Sequence, residues 1–212
     1  MRGAIFDMDG LLIDSEKLWQ GQWHEMAAER GLTLGEGFAA EMCGTGGAST
    51  FAVLTRYFPD DDPAALLREC SERVHRLEEG GVPLKTGAET ILNGLRGAGF
   101  RLAVASSSPL DMIRKNLGKA GVLDCFDALT SGHEAARNKP APDIFLLAAR
   151  RLELPPEECY VFEDSLNGIE GAWRAGCRPV MVPDLVRPTQ EAREQCFGIY
   201  ADLAEAWEHV RP

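Results

Sequence analysis

Two aspartates, Asp7 and Asp9, stand two residues apart in the stretch AIFDMDGLLIDSE (residues 4–16), after an apolar run and directly before Gly10. Carboxylates crowded this closely repel one another unless a cation or a shared proton settles them. At the mouth of an apolar segment such a pair is therefore a candidate for holding a cation or sharing a proton. Two plainer readings stand beside these. The pair would also serve as turn carboxylates at a strand end, or as a calcium loop, although the LLID that follows lacks EF-hand spacing.

Three further stretches end apolar runs in polar residues. AVASSS (103–108) stops at Ser106, whose hydroxyl and neighbouring amides, with Ser107 adding one more, suit an anionic oxygen. Ser107 or Ser108 would equally cap a helix opened by Pro109. NKPAPDIF (138–145) holds Lys139 just before Pro140, which biases the lysine to an extended backbone. A solvated surface lysine is the plainer reading, and neighbouring Arg137 fits it. VFEDSLNG (161–168) ends its run in Glu163 and Asp164, two acids that would equally cap the helix starting near Ser165.

The elements that must position these residues follow from periodicity. Residues 3–8 read as a short buried strand. Trp19, Trp23, Met26 and Ala27 share one helical face, and further helical patterns cover 36–43, 48–58 and 63–79, with a GTGG loop at 44–47. Beyond the breakers of EEGGVP (78–83) the pattern alternates. Strands are expected at 100–106, 126–131, 159–164 and 178–182, and helices from 88, from 109 to about 119, at 142–152 and at 165–176. FGIYAD and LAEAWEHV suggest a last strand and helix. Alternating strands and helices imply right-handed crossovers and a parallel sheet. The expected fold is therefore α/β: a doubly wound, Rossmann-like parallel sheet formed by 1–14 and 81–212, with an inserted helical cap domain at 15–80. Ligands of such sheets bind at the carboxyl ends of the strands, where Asp7 and Asp9 fall.

Composition narrows the partners. With 22 Lys and Arg against 33 Asp and Glu, the chain carries a formal charge of −11 and shows no basic stripe, so neither nucleic acid nor membrane is an expected partner. Six scattered cysteines, none in a paired spacing, suit reduced thiols and a cytoplasmic location. The opening MRGAIFDMDG has neither the apolar run nor the cleavage site of a leader peptide, and no membrane span is expected. No feature specifies an oligomer, so a monomer is the default.

Taken in order, DMDG, AVASSS, NKPAPDIF and VFEDSLNG resemble the four motifs of the haloacid dehalogenase superfamily, and FDMDGLLIDSE resembles its β-phosphoglucomutase-like and sugar-phosphatase branch. The resemblance runs from the first strand to at least residue 183, with the helical insertion matching the family's cap. It implies an enzyme, a phosphoric monoester hydrolase using Mg2+ and an aspartyl-phosphate. Asp7 would be the nucleophile and Asp9 the general acid and then base. Ser106 and Lys139 would complete the catalytic set. Asp7, Asp9 (through its backbone carbonyl) and Asp164 would hold the metal, with Glu163 a ligand or an orienting group. Gly10 and Ser107 would contact substrate from the core, and Ser15, Trp19, Thr45 and Gly46 from the cap, where Trp19 would equally serve as cap core and GTGG as an ordinary interhelical turn. A carboxylate at Asp9 argues against dehalogenation, because a halide leaves without a proton. Mutases of this branch typically carry a histidine where Trp19 stands and an arginine near Gly47, and this chain has neither. The expected activity is thus phosphatase on small phosphorylated metabolites, sugar phosphates foremost. The alternatives are a β-phosphoglucomutase-like mutase and, in another class, a non-catalytic sugar-phosphate-binding regulator.

Overall fold

The computed structural model describes residues 2–35, 37–42 and 48–211. The chain divides into two compact units, Met1–Asp14 with Val82–Pro212, and Ser15–Gly81.

The first unit is built on one sheet of six strands: β1 (Gly3–Phe6), β2 (Arg101–Ser106), β3 (Ala128–Ser131), β4 (Cys159–Glu163), β5 (Arg178–Met181) and β6 (Gly198–Ile199). Their order is β3-β2-β1-β4-β5-β6, and each neighbouring pair is parallel. That is a doubly wound order: the chain runs outward from β1 to β3, crosses to β4 on the other side of β1, and runs outward again to β6. Helices α5 (Ala88–Gly97), α6 (Leu110–Lys119), α7 (Asp143–Arg151), α8 (Leu166–Arg174), α9 (Gln190–Gln195) and α10 (Leu203–Val210) complete it; the labels α1 to α4 belong to the second unit.

Strand alternation sorts the side chains by face. Ile5, Ala103, Ala105, Cys159 and Val161 pack against Phe145, Ala148, Leu152 and Ala172 of α7, α8 and their ends. Phe6 and Phe162, one step along, point the opposite way and stack at 4.6 Å between ring centroids. Both are fully buried, and a buried aromatic of this size stabilises a fold by about 1.5–3 kcal/mol.

The second unit is all helical: α1 (Ser15–Glu29), α2 (Gly37–Met42), α3 (Ala48–Tyr57) and α4 (Pro63–Glu78). Trp23, Phe38 and Phe58 form its centre, with Met26, Leu54, Leu66, Cys70 and Val74 around them. Asp62 caps α4, accepting from the Ala65 amide, with Pro63 in the first turn. Arg30 bridges Asp61 and Glu69, and Arg73 reaches Glu29 and Glu69, tying the helices on their polar side.

Strand β1 ends at Phe6, two residues short of the span expected from the sequence. Gly10 is the cause: at φ +81° it turns the chain back, so Leu12 and Ile13 both donate to the Met8 carbonyl. Asp9 therefore lies in a tight turn beyond the strand. Helix α9 was not expected. It is short and polar, with Ala192 its buried residue, so it carries no apolar periodicity to read. Thr189 starts it, accepting from the Ala192 amide. Among the described residues no helix is long and apolar enough to cross a membrane.

Candidate active site

The carboxyl ends of β1, β2 and β4 lie side by side, and the register determines what they bring together. Phe6 pairs with Val104 on one side and Phe162 on the other, and the Asp7 amide donates to the Phe162 carbonyl at 3.0 Å. Asp7, Ser106 and Glu163 with Asp164 thus converge from three neighbouring strands.

Lys139 enters from the loop before α7, and its bond to Pro140 is cis. Its ammonium donates to Asp7 Oδ1 at 2.6 Å, to Glu163 Oε1 at 2.5 Å and to the Ala105 carbonyl at 3.1 Å. These three bonds use every proton the group has. Lys139 also lies over the Phe145 ring, 5.2 Å from its centroid. The side chains of Lys139, Asp7 and Glu163 are 9%, 10% and 1% exposed, which makes this a buried charge cluster rather than a surface pair.

Burial pushes the Asp7 carboxyl up to about 8; Glu163 and Asp9 add to the rise, and Lys139 opposes it. Burial works against the Lys139 charge, but the Asp7 and Glu163 carboxylates outweigh it and hold the ammonium above its ordinary value. Both shifts describe one pocket with a single cation for two carboxylates. The lysine keeps its proton, and Asp7 is the group left short of positive charge.

Glu163 has both oxygens engaged. Oε1 takes Lys139, and Oε2 accepts from the Asp164 and Ser165 amides and the Ser165 hydroxyl. The space for it comes from Gly168 in the first turn of α8, where an added Cβ would fall 1.9 Å from the Glu163 carboxyl carbon. Ser165 caps that helix, accepting from the Gly168 amide, so the capping alternative considered for Glu163 and Asp164 falls to their neighbour instead.

Asp9 is held by two hydroxyls. Ser106 Oγ donates to Asp9 Oδ2 at 3.2 Å and Ser108 Oγ to the same oxygen at 2.9 Å. The Ser108 amide donates to Ser106 Oγ at 3.0 Å, and Ser131 Oγ donates to the Ser108 carbonyl at 2.7 Å. From the sequence alone Ser108 reads only as a possible helix cap. Helix α6 has Pro109 at its cap position and no side-chain cap bond, so neither Ser107 nor Ser108 plays that part. A run of three serines offers no signal for which hydroxyl turns inward. Ser107 is exposed, with Gly132 passing close to its Cα. Arg137 pairs with Asp143 at the surface, away from Asp7.

The remaining expected substrate contacts belong to the helical unit. Ser15 opens α1, and Trp19 packs, partly buried, on the Trp23–Phe38–Phe58 cluster. Thr45 and Gly46 lie outside the described residues.

The model of the haloacid dehalogenase-like hydrolases matches residues 4–182. The chain belongs to that family. As a haloacid dehalogenase-like hydrolase it is 33% identical over 185 residues to hexitol phosphatase B of Escherichia coli K12, covering 85% of this chain and 82% of that one. It is 32% identical over 186 residues to fructose-1-phosphate phosphatase YqaB of the same organism, covering 85% and 95%. Among solved structures, CbbY from Rhodobacter sphaeroides in complex with phosphate superposes with a TM-score of 0.76 at 30% identity, covering 97% of this chain and 96% of that one.

The donor chemistry of this family member also fits a hard cation. Asp7 and Asp164 are both buried and follow the neighbouring central strands β1 and β4 at their carboxyl ends, and carboxylate oxygens suit a hard cation. Among the described residues no three His, Cys, Asp or Glu side chains form a cage by themselves. Magnesium does not need one: it takes one or two protein carboxylates and completes its shell with water and substrate oxygen.

Proposed function

We propose that this chain is a magnesium-dependent phosphatase of small phosphorylated metabolites, acting through an aspartyl-phosphate on Asp7, with sugar monophosphates as the substrate class. One observation carries the reading: the Lys139 ammonium at 2.6 Å from Asp7 Oδ1, in a pocket otherwise dominated by carboxylates. The phosphatase names of the relatives support the reaction, and their hexitol and fructose-1-phosphate specificities support the class.

Asp7, the Asp9 backbone carbonyl and Asp164 would hold the magnesium. When bound, the ion supplies positive charge to the phosphoryl oxygens and to Asp7. Glu163 is better placed as the partner that fixes Lys139 than as a ligand, because its oxygens are occupied.

The residues of the chain then divide the work. Asp7 attacks phosphorus: an oxygen–phosphorus bond forms, the ester bond breaks, and its electron pair goes to the leaving oxygen. That oxygen takes the Asp9 proton. In the second half Asp9 takes a proton from water, the water oxygen attacks phosphorus, and Asp7 is released. The Ser106 hydroxyl and the Ser107 amide hold phosphoryl oxygens, and Lys139 offsets the charge that builds on them.

The test is phosphate release from a panel of sugar monophosphates with and without Mg2+. Release that requires the metal is expected. Conversion of glucose 1-phosphate to glucose 6-phosphate faster than any hydrolysis would overturn the reading in favour of a mutase. Sugar-phosphate binding with no turnover across the panel would overturn it in favour of a regulator.

A further inference from the structure

We infer that Ser108 is a positioning residue for the acid–base group, holding the Asp9 carboxyl in place once substrate has claimed Ser106. The inference rests on the phosphatase reading above and adds to it a residue that carries no role there.

A serine hydroxyl has one proton to donate. In the structure Ser106 Oγ and Ser108 Oγ both approach Asp9 Oδ2, at 3.2 and 2.9 Å. Ser106 lies at the end of β2 and is the hydroxyl assigned to the phosphoryl group. When a phosphoryl oxygen takes its proton, the bond to Asp9 is lost. Ser108 makes the shorter of the two bonds and is the hydroxyl that remains. Anchoring Oδ2 fixes the plane of the carboxyl group and hence the direction in which Oδ1 meets the leaving oxygen.

The support behind Ser108 is built for rigidity. Its amide is tied to Ser106 Oγ and its carbonyl to the Ser131 hydroxyl. Ser131 in turn starts a capping box with Glu134, which Arg151 grips through two nitrogens, at 3.1 and 2.7 Å. Bonds to the Ser108 amide and carbonyl fix the backbone from which its side chain reaches Asp9. A group that positions a general acid matters only where a proton must be delivered. An alkyl alkoxide needs that proton to leave; a nitrophenolate does not.

The experiment compares kcat/KM, which reports the step that expels the leaving group, for an alkyl ester and for p-nitrophenyl phosphate in the magnesium-loaded enzyme. Ser108→Ala is expected to lower kcat/KM about tenfold on sorbitol 6-phosphate and only about twofold on p-nitrophenyl phosphate. Ser108→Thr keeps the hydroxyl and is expected to bring the ratio of the two back toward that of the parent enzyme. An equal loss on both esters, or no loss on either, overturns the inference while leaving the phosphatase reading intact. Failure of the parent enzyme to hydrolyse either ester or any sugar monophosphate of the panel overturns that reading, and this inference with it.

Discussion

Lys139 and Asp7, 132 positions apart in the chain, meet at 2.6 Å because β1 ends where the loop before α7 passes it. Their contact is the most buried ion pair described in the molecule together with the Lys139–Glu163 bond, and the chemistry proposed for the site depends on it.

Removing the lysine leaves two buried carboxylates facing each other. Lys139→Ala is expected to lower unfolding free energy by about 3–5 kcal/mol, the usual result of orphaning a buried charge. For a chain of this size each kcal/mol moves the melting midpoint by about 2–4 °C, so calorimetry in EDTA would show the change plainly. Phosphatase turnover is expected to fall at least a hundredfold, or about 3 kcal/mol of barrier.

Asp7→Asn is expected to act in the opposite direction on stability while abolishing turnover. Asp7 has its folded-state carboxyl raised to about 8, above the ordinary value, chiefly by burial. Its contribution to stability is complete below the unfolded value and is lost as pH rises through the folded one. Metal-free parent protein should therefore weaken between pH about 4 and about 8, and the asparagine variant should not. Denaturant titrations across that range check this. Parallel curves for the two proteins would refute it.

Magnesium is expected to raise the midpoint of the parent protein, since a ligand that binds the folded state alone stabilises by mass action. The gain should grow with pH, because the Asp7 carboxyl must release its proton to solvent before its oxygen can hold the ion. Asp164→Asn should shrink the gain without the fold being lost, which circular dichroism and a melting curve with added Mg2+ would show. A gain undiminished in that variant would remove Asp164 from the ligand set.

Glu134 offers a separate acid-side prediction. Arg151 holds its carboxyl down to about 2, with help from the Ser131 amide. A lowered carboxyl stabilises above the unfolded value, and that benefit is lost as pH falls through the folded one. Both side chains are about one-third exposed, at 32% and 34%, so solvent screening limits the effect. Glu134→Gln should cost about 0.5–1 kcal/mol at neutral pH and close to nothing below pH about 2, measured by urea unfolding at each pH.

Gly168→Ala would gain about 1 kcal/mol on helix propensity alone. Destabilisation and loss of turnover are expected instead, because the new Cβ would fall 1.9 Å from the Glu163 carboxyl carbon. A variant with parental activity and a higher midpoint would show that Glu163 can move at no expense to Lys139.

Much of the fold was legible because the strands are buried on both faces and read as apolar runs, each followed by a helical period. Asp7, Ser106, Lys139 and Asp164 stood out because each ends such a run or precedes a proline. What stayed hidden has the opposite character. Helix α9 buries Ala192 as its one buried residue and has no periodic face. Ser108 is one serine of three, and only the turn at Gly10, which carries Asp9 beyond the strand, decides that its hydroxyl finds a carboxylate. The ties of Glu163 to Lys139, Ser165 and the space over Gly168 depend on a side-chain rotamer, which no spacing in the chain records.

The contact between positions 163 and 168 also limits how this chain can diverge. A methyl at 168 becomes admissible only if residue 163 is shortened, as in aspartate, and a shortened acid would no longer span the gap to the ammonium. The two positions are therefore expected to tolerate change together rather than singly, and a variant without the glycine would need another tether for its lysine.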